Sequence, residues 1–291
     1  LAMFFTLILS SFLTFMELNC ENLFDTRHDS LKNDLEFLPD GSYKWMPYRY
    51  WAKLNHLGQE IVAQSNPIPD FVAMCEVEND SVMFDLTRRS LLRNAGYEYV
   101  MTSSPDERGI DVALLYQPAS FALLHSHFIR IKPLPDTRPT RDILYASGLI
   151  ITGDTLHVFV VHAPSRRGGE QASRPYRLHV ASCLAEALDS IYAESRDAKI
   201  IVAGDFNDYA DSPALKRLYQ HHLINISHDA RGTHGAKATY RWHGEWRSLD
   251  QIMCSPTMAA AKQKCQIGDL PFLLEDDEKY GGKKPYRTYL G

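Results

Sequence analysis

Apolar residues along this chain gather into short runs that end abruptly in acids and amides. Ile200-Ile201-Val202-Ala203 stops at Gly204 and is followed by Asp205-Phe206-Asn207-Asp208. The β-branched run predicts a strand covered on both faces. Gly204 permits a close or unusual backbone path where the polar side chains begin. Asp205 and Asn207 lie two apart, so in an extended chain they project to the same side. Such a pair can polarise a water and hold an anion, or it can form an ordinary Asx-type turn behind a strand. Four further segments share the layout. Leu13 to Leu18 leads into Asn19-Cys20-Glu21-Asn22-Leu23-Phe24-Asp25, and Asp70 to Cys75 leads into Glu76-Val77-Glu78-Asn79. Leu156 to Val161 leads into His162-Ala163-Pro164-Ser165-Arg166-Arg167, and Trp246 to Leu249 leads into Asp250.

The same patterning predicts strands near 13–20, 70–76, 97–102, 111–117, 121–131, 146–152, 155–161, 199–204 and 248–254. Helical spacing of apolar residues marks 47–65, through Trp51, Leu54, Leu57, Ile61 and Val62, and 174–193, through Leu178, Ala181, Leu184, Leu188 and Ile191. Pro175 suits the first turn of the second helix, with Ser173 as its cap. Ile150 to Leu156 reads as a hairpin around Gly153-Asp154. Strands mixed with long helices predict an α/β (α+β) protein of two packed β-sheets flanked by helices.

Composition adds a single globular unit. The chain has 291 residues, 45% hydrophobic and 23% charged, with no linker, repeat or low-complexity tract to divide it. Its net charge of −5 excludes the overall basic footprint of a tight duplex binder. Arg138, Arg141, Arg166, Arg167, Arg174 and Arg177 can still form a local positive rim. Five cysteines, an odd number, are read as reduced thiols. His221, His222, His228, His234 and His243 have no zinc-ligand spacing. Arg108 and Asp111 are read as a structural pair ahead of a phosphate-binding role.

The ordered wording Asn-x-Glu-Asn-Leu-Phe-Asp from Asn19, His-x-Pro-Ser-Arg-Arg-Gly-Gly from His162 and Gly-Asp-Phe-Asn-Asp from Gly204 resembles the endonuclease/exonuclease/phosphatase superfamily, most of all its bacterial, often exported branch. The resemblance spans roughly residues 13–291. It implies a four-layer α/β sandwich, two packed mixed β-sheets flanked by helices, with its site at one edge. It also implies hydrolysis of phosphate esters with Mg²⁺, or Mn²⁺ as a substitute. A hard divalent cation keeps several waters and needs only one or two carboxylates. Carried over from the family motifs, Glu76 is the direct metal ligand, with Asn19 and Glu21 as metal-shell or water-ordering groups. Asp205 deprotonates or orients the attacking water, and Asn207 holds a phosphoryl oxygen or the nucleophile. His162 donates to the phosphate, kept protonated by an adjacent carboxylate. Arg166 and Arg167 bind the substrate, since arginines beside glycines can engage phosphate bidentately.

In the family Asp250 orients a later histidine within a Ser-Asp-His motif, which this sequence lacks. The expectation is a chain cut at both ends, whose catalysis is impaired as written; a natural variant that serves as a catalytically dead binding module is the alternative. Residues 1–12 carry an apolar run of signal-peptide length, so export to the periplasm or outside is expected, against a hydrophobic first strand of a cytoplasmic enzyme. The substrate expected is a phosphate ester, with a nuclease acting on DNA or RNA as the leading subclass and a phosphatase or phospholipid or inositol-phosphate diesterase as the alternative. No obligate protein partner is evident, and a monomer is expected.

Overall fold

The computed structural model describes residues 12–288 except residue 136. The expected leader remnant therefore lies almost wholly outside the described residues. In chain order the structure runs β1 (Phe15–Leu23), α1 (Pro47–Ala63), β2 (Phe71–Val77), α2 (Asp80–Phe84), β3 (Glu98–Met101), β4 (Asp111–Tyr116), β5 (Phe121–Ile129), β6 (Ile143–Ile150) and β7 (Thr155–His162). It continues with α3 (Glu170–Glu194), β8 (Lys199–Asp205), α4 (Pro213–Gln220), β9 (Ile224–Asn225), β10 (Tyr240–Trp242), β11 (Glu245–Arg247), β12 (Asp250–Cys254), α5 (Pro256–Ala260), β13 (Leu274–Asp276) and β14 (Lys283–Pro285).

Two mixed sheets face each other. One has the order β1-β2-β4-β3, with β1 and β2 parallel; the other has the order β5-β6-β7-β8-β12-β9, with β7 and β8 parallel. Alternation explains how continuous apolar strands serve two layers at once. Phe71, Ala73 and Cys75 of β2 meet Val158, Val160, Ile201 and Ala203 between the sheets, while Val72 and Met74 turn outward against Leu54, Leu57 and Ile61 of α1. On the far side Phe159, Val161, Ile200 and Val202 pack under Val180, Leu184 and Leu188 of α3 and Leu215 and Leu218 of α4. Each fully buried Leu, Ile or Phe contributes roughly 1.5–3 kcal/mol relative to exposure. The result is the expected four-layer sandwich, α on β on β on α. Among the described residues no helix is long and apolar enough to cross a membrane.

Parallel pairing places strand ends together. β1, β2, β7 and β8 all finish on one edge of the sandwich, and antiparallel β12 begins there. Two expectations about α3 change. The helix starts at Glu170, so Pro175 lies inside it, and Ser173 does not cap it: its hydroxyl donates back to the Gly169 carbonyl at 2.7 Å. The cap position is Gly169, at φ +109°.

Candidate active site

Register decides which polar side chains meet at this edge. His162 pairs with Asp205 across the parallel β7–β8 ladder, and Asp250 pairs with Asp205 across the antiparallel β8–β12 ladder. On the other sheet β2 pairs Cys75 with Val112 and then Val77 with Asp111, leaving Glu76 as a bulged residue. The bulge places Glu76 at φ +62° and re-aims its side chain, a common use of bulges beside active sites. Glu21 (+51°), Asn22 (+63°) and Asn207 (+48°) share the left-handed region. Non-glycine residues rarely adopt it, and such strain clusters where function demands a fixed geometry. Gly204, at φ +142°, is required by a close approach: a Cβ there would lie 1.9 Å from the Val161 carbonyl oxygen. The two sheets are tied at the same level by Cys75, whose thiol donates to the Val161 carbonyl and accepts the Asp205 N–H, both at 3.4 Å.

The side chains converge. The Asn19 amide donates to Asp205 Oδ2 at 3.0 Å and lies 3.5 Å from Glu76 Oε1. His162 Nε2 faces the same two oxygens, 3.8 Å from Asp205 Oδ2 and 3.9 Å from Glu76 Oε1. Glu76 Oε2 accepts the Asn22 N–H at 2.8 Å, and Asp205 Oδ1 accepts the Asn207 N–H at 2.7 Å. Asn207 spends one amide hydrogen on the Ala163 carbonyl at 3.1 Å, which leaves the other for a ligand oxygen.

Burial dominates the electrostatics. It pushes Asp205 well above the ordinary carboxylate range, and the charges of Asp250 and Glu76 push further, against the Asn207 N–H and the Asn19 amide. Burial likewise pushes Asp250 up to about 6, with Glu76 and Glu21 adding to it. His162 goes the opposite way from the expectation. Burial holds it well below its ordinary value, and Arg141 and Arg108 lower it further, so the imidazole is neutral near pH 7. Among the described residues its buried Nδ1 has no partner, and the Nε2–H tautomer directs its proton toward the carboxylates.

Of the other expected residues, Glu21 is placed differently, and the two arginines lie at or beside the rim. Glu21 turns its carboxylate to Arg287 and to the Thr288 N–H, the latter at 2.7 Å, and only its backbone carbonyl faces Lys53. Arg166 reaches Asp208 at 3.3 Å and lies over the Tyr209 ring at 4.5 Å, at the rim of the site. Arg167 is exposed beside it. The Arg108–Asp111 pair does not form. Arg108 donates to the Asn22 side chain, and Asp111 accepts from Thr102 Oγ1 at 2.6 Å and the Ser104 N–H at 3.0 Å.

Several groups at the site escaped the sequence reading. Glu17 on β1 has a buried Oε1 with no hydrogen-bond partner among the described residues, and burial, followed by Asp250 and Asp205, pushes it well above its ordinary value. A glutamate in the middle of an apolar strand was the available signal. Buried Lys53 donates to the Glu21 and Thr288 carbonyls, and burial lowers it to about 8. Arg177 and Arg141, expected in a positive rim, are instead buried: Arg177 holds Asp208 at 3.0 Å, bracing the turn after Asn207, and Arg141 pairs with Asp106 at 3.1 Å.

A divalent cation fits this donor set. Among the described residues no three His, Cys, Asp or Glu side chains form a closed metal cluster. A hard ion that keeps most of its waters takes one or two carboxylates, which Glu76 and its neighbours can supply. Among the described residues Glu76 Oε1 has the long Asn19 contact and the His162 approach, which leaves this oxygen able to face a cation, and the carboxyls of Asp205, Asp250 and Glu17, raised first by burial and then by one another's charge, lie close enough to interact.

A four-layer sandwich that presents carboxylates, an amide and a histidine from its strand ends has the architecture of a phosphoesterase. The model of the Endonuclease/Exonuclease/phosphatase family matches residues 14–291, and the chain belongs to that family. Comparison with curated proteins finds no match. Among solved structures it is similar to a mannosyl-6-phosphatase of Bacteroides thetaiotaomicron, at 16% identity and TM-score 0.61, covering 84% of this chain and 86% of that one. ANGEL2, a 2′,3′-cyclic phosphatase solved with adenosine-2′,3′-vanadate, gives 14% identity and TM-score 0.59 over 84% of both chains. An endonuclease/exonuclease/phosphatase protein of Bacteroides vulgatus gives 16% and 0.58, covering 84% of this chain and 87% of that one.

Proposed function

We propose that this chain is a divalent-metal-dependent hydrolase of phosphate esters, with phosphodiester bonds of DNA or RNA as its leading substrates. The observation that carries the reading is the meeting of Asn19, Glu76, His162 and Asp205, brought from four strands of both sheets to within 3.0–3.9 Å of one another's polar atoms. Nothing in packing requires two carboxylates, an amide and a buried histidine to share one strand edge. Phosphate-ester hydrolysis does require a site that binds charge, orients a water and supports the leaving oxygen.

Each residue has a role its surroundings permit. Asp205, when ionised, takes the proton of the attacking water or orients it, and its raised carboxyl is a stronger base than an exposed one. Neutral His162 donates through Nε2 to a phosphoryl oxygen. Asn207 offers its remaining amide hydrogen to the same group. Glu76, with Asn19 beside it, would hold Mg²⁺ or Mn²⁺, which supplies charge neutralisation at the phosphate. Arg166 stands at the rim to receive the anion. A phosphatase acting on a small phosphorylated molecule is the second reading, favoured by the likeness in fold to a mannosyl-6-phosphatase.

The test is hydrolysis by the full-length protein of plasmid DNA, RNA, bis-p-nitrophenyl phosphate, an inositol phosphate and sphingomyelin, each with Mg²⁺ and with a chelator. Metal-dependent cleavage of DNA or RNA supports the leading reading. Cleavage of a monoester alone supports the second, and silence on every substrate overturns both.

A further inference from the structure

A cavity of about 260 Å³ opens beside the strand ends, between Tyr209, Trp246 and the residues just before β12. Its lining sets Arg231, Lys237, Arg247 and His228 against one acid, Asp211. In a chain of net charge −5, three fixed cations around one opening form a local field of the opposite sign. Their charge is unspent. Arg231 donates to the Ala230 carbonyl at 2.8 Å, Arg247 lies over the Tyr209 ring at 5.1 Å, and among the described residues none of the three pairs with a carboxylate. Other arginines of the fold are consumed by acids, as Arg141 is by Asp106 at 3.1 Å and Arg177 by Asp208 at 3.0 Å.

Two residues that line the cavity flank the candidate active site along the chain. Tyr209 follows Asn207 by two residues, and Ser248 precedes Asp250 by two. The Tyr209 ring carries both Arg166, at 4.5 Å, and Arg247, so one aromatic joins the positive rim of the site to the cavity. The floor is fixed: Gln251 donates to the Asp208 and Ser248 carbonyls at 3.2 and 3.0 Å and accepts from Asn225 at 2.8 Å. A neighbouring cavity of about 340 Å³ shares Lys237 and Trp246, but its Arg241 is held by Asp277 at 3.1 Å, so the unspent charge belongs to the first.

We propose that this cavity is an anion subsite that receives a second, non-scissile phosphate of the substrate, and thereby selects esters carrying one. The inference rests on the phosphoesterase reading of the adjoining site. Arginine forks suit phosphate bidentately, lysine adds a point charge, and Tyr209 and Trp246 offer flat walls to the sugar or base between the two phosphates. The shared chemistry is a phosphate tethered to the scissile ester. It can come from the next nucleotide of a strand or from a small bisphosphate.

The wild-type protein and a Lys237→Ala/Arg247→Ala double variant are compared, in Mg²⁺, on two substrate pairs. One pair is a dinucleoside monophosphate with and without a terminal phosphate; the other is a hexose bisphosphate and its monophosphate. The expected result is a preference of about tenfold or more in kcat/KM for the doubly phosphorylated member, carried by KM and falling toward parity in the double variant. The pair that shows it names the source. Parity in the wild type on both pairs, or a preference that survives in the double variant, overturns the subsite. If no substrate turns over, the phosphoesterase reading fails, and the subsite is judged by calorimetry of the hexose bisphosphate against the monophosphate. A tenfold affinity gap lost in the double variant then supports it, and equal affinities overturn it.

Discussion

Asp205 and Asp250 stand directly opposite each other in the antiparallel register of β8 and β12, a buried carboxyl and a half-buried one on adjacent strands. Burial raises both, and the charge of Asp250 is the next contribution to raising Asp205. If Asp205 must be ionised to act on water, the acid limb of the pH–rate profile reports its titration. Asp250→Asn removes the opposing charge while keeping the shape, so Asp205 should ionise more readily. The acid limb of kcat/KM should move to lower pH. A limb that stays in place, or moves upward, would show that Asp205 is not the group being titrated.

Glu76 combines a functional carboxylate with a left-handed backbone, and substitutions can separate the two. Glu76→Ala loses the carboxylate, loses the bond to the Asn22 N–H, and keeps the strain of φ +62°. Glu76→Gly loses the same groups but relieves the backbone. Both variants should lose metal-dependent hydrolysis by roughly 10³-fold or more. In urea unfolding the glycine variant should be the more stable of the two by about 1 kcal/mol. Equal stabilities would remove the strain from the account, and undiminished turnover would remove Glu76 from the site.

Gly204→Ala tests the junction of the layers. Its Cβ would fall 1.9 Å from the Val161 carbonyl oxygen, and the backbone at φ +142° has no easy alternative. Because the obstacle is main chain of the adjacent strand, relaxation means separating β7 from β8 where His162 and Asp205 pair. A loss of about 3 kcal/mol or more is expected, with a lower thermal midpoint and less soluble protein. Near-native stability would mean that the strand ends can rearrange.

Much of this site was legible because buried strands advertise themselves. The apolar runs before Glu76, His162 and Asp205 are continuous, so the polar residue that ends each one stands out. Four things depended on pairing that no local pattern contains. The left-handed turn at Glu76 follows from register against two neighbouring strands. The neutrality of His162 follows from burial and from Arg141 and Arg108, which come from other segments. Glu21 looked like Glu76 in sequence, yet it is engaged by Arg287 and Thr288 from the far end of the chain. Arg108 found Asn22 instead of Asp111, three residues away. The helix α4 went unread, although Ser212-Pro213 is a local start signal and Ser212 accepts the Leu215 N–H at 3.3 Å.

Glu78, two residues beyond Glu76, supplies a pH-dependent contribution to stability that turnover does not enter. Its Oε2 accepts the Asp25 N–H at 2.6 Å, in a position only 8% exposed. Burial, followed by the charge of Asp25, raises its carboxyl from the ordinary 4.5 to about 8. Between those values the folded protein binds a proton that the unfolded chain releases, so stability falls as pH rises. The contribution is fully present below about 4.5 and is lost as pH climbs through about 8. Glu78→Gln keeps an oxygen acceptor for the Asp25 N–H without a titrating group. The difference in unfolding free energy between wild type and Glu78→Gln, measured with urea across that window, should therefore shift progressively against the wild type as pH rises, by a few kcal/mol in all. A difference independent of pH would mean that Glu78 titrates in the folded protein as it does in the unfolded chain.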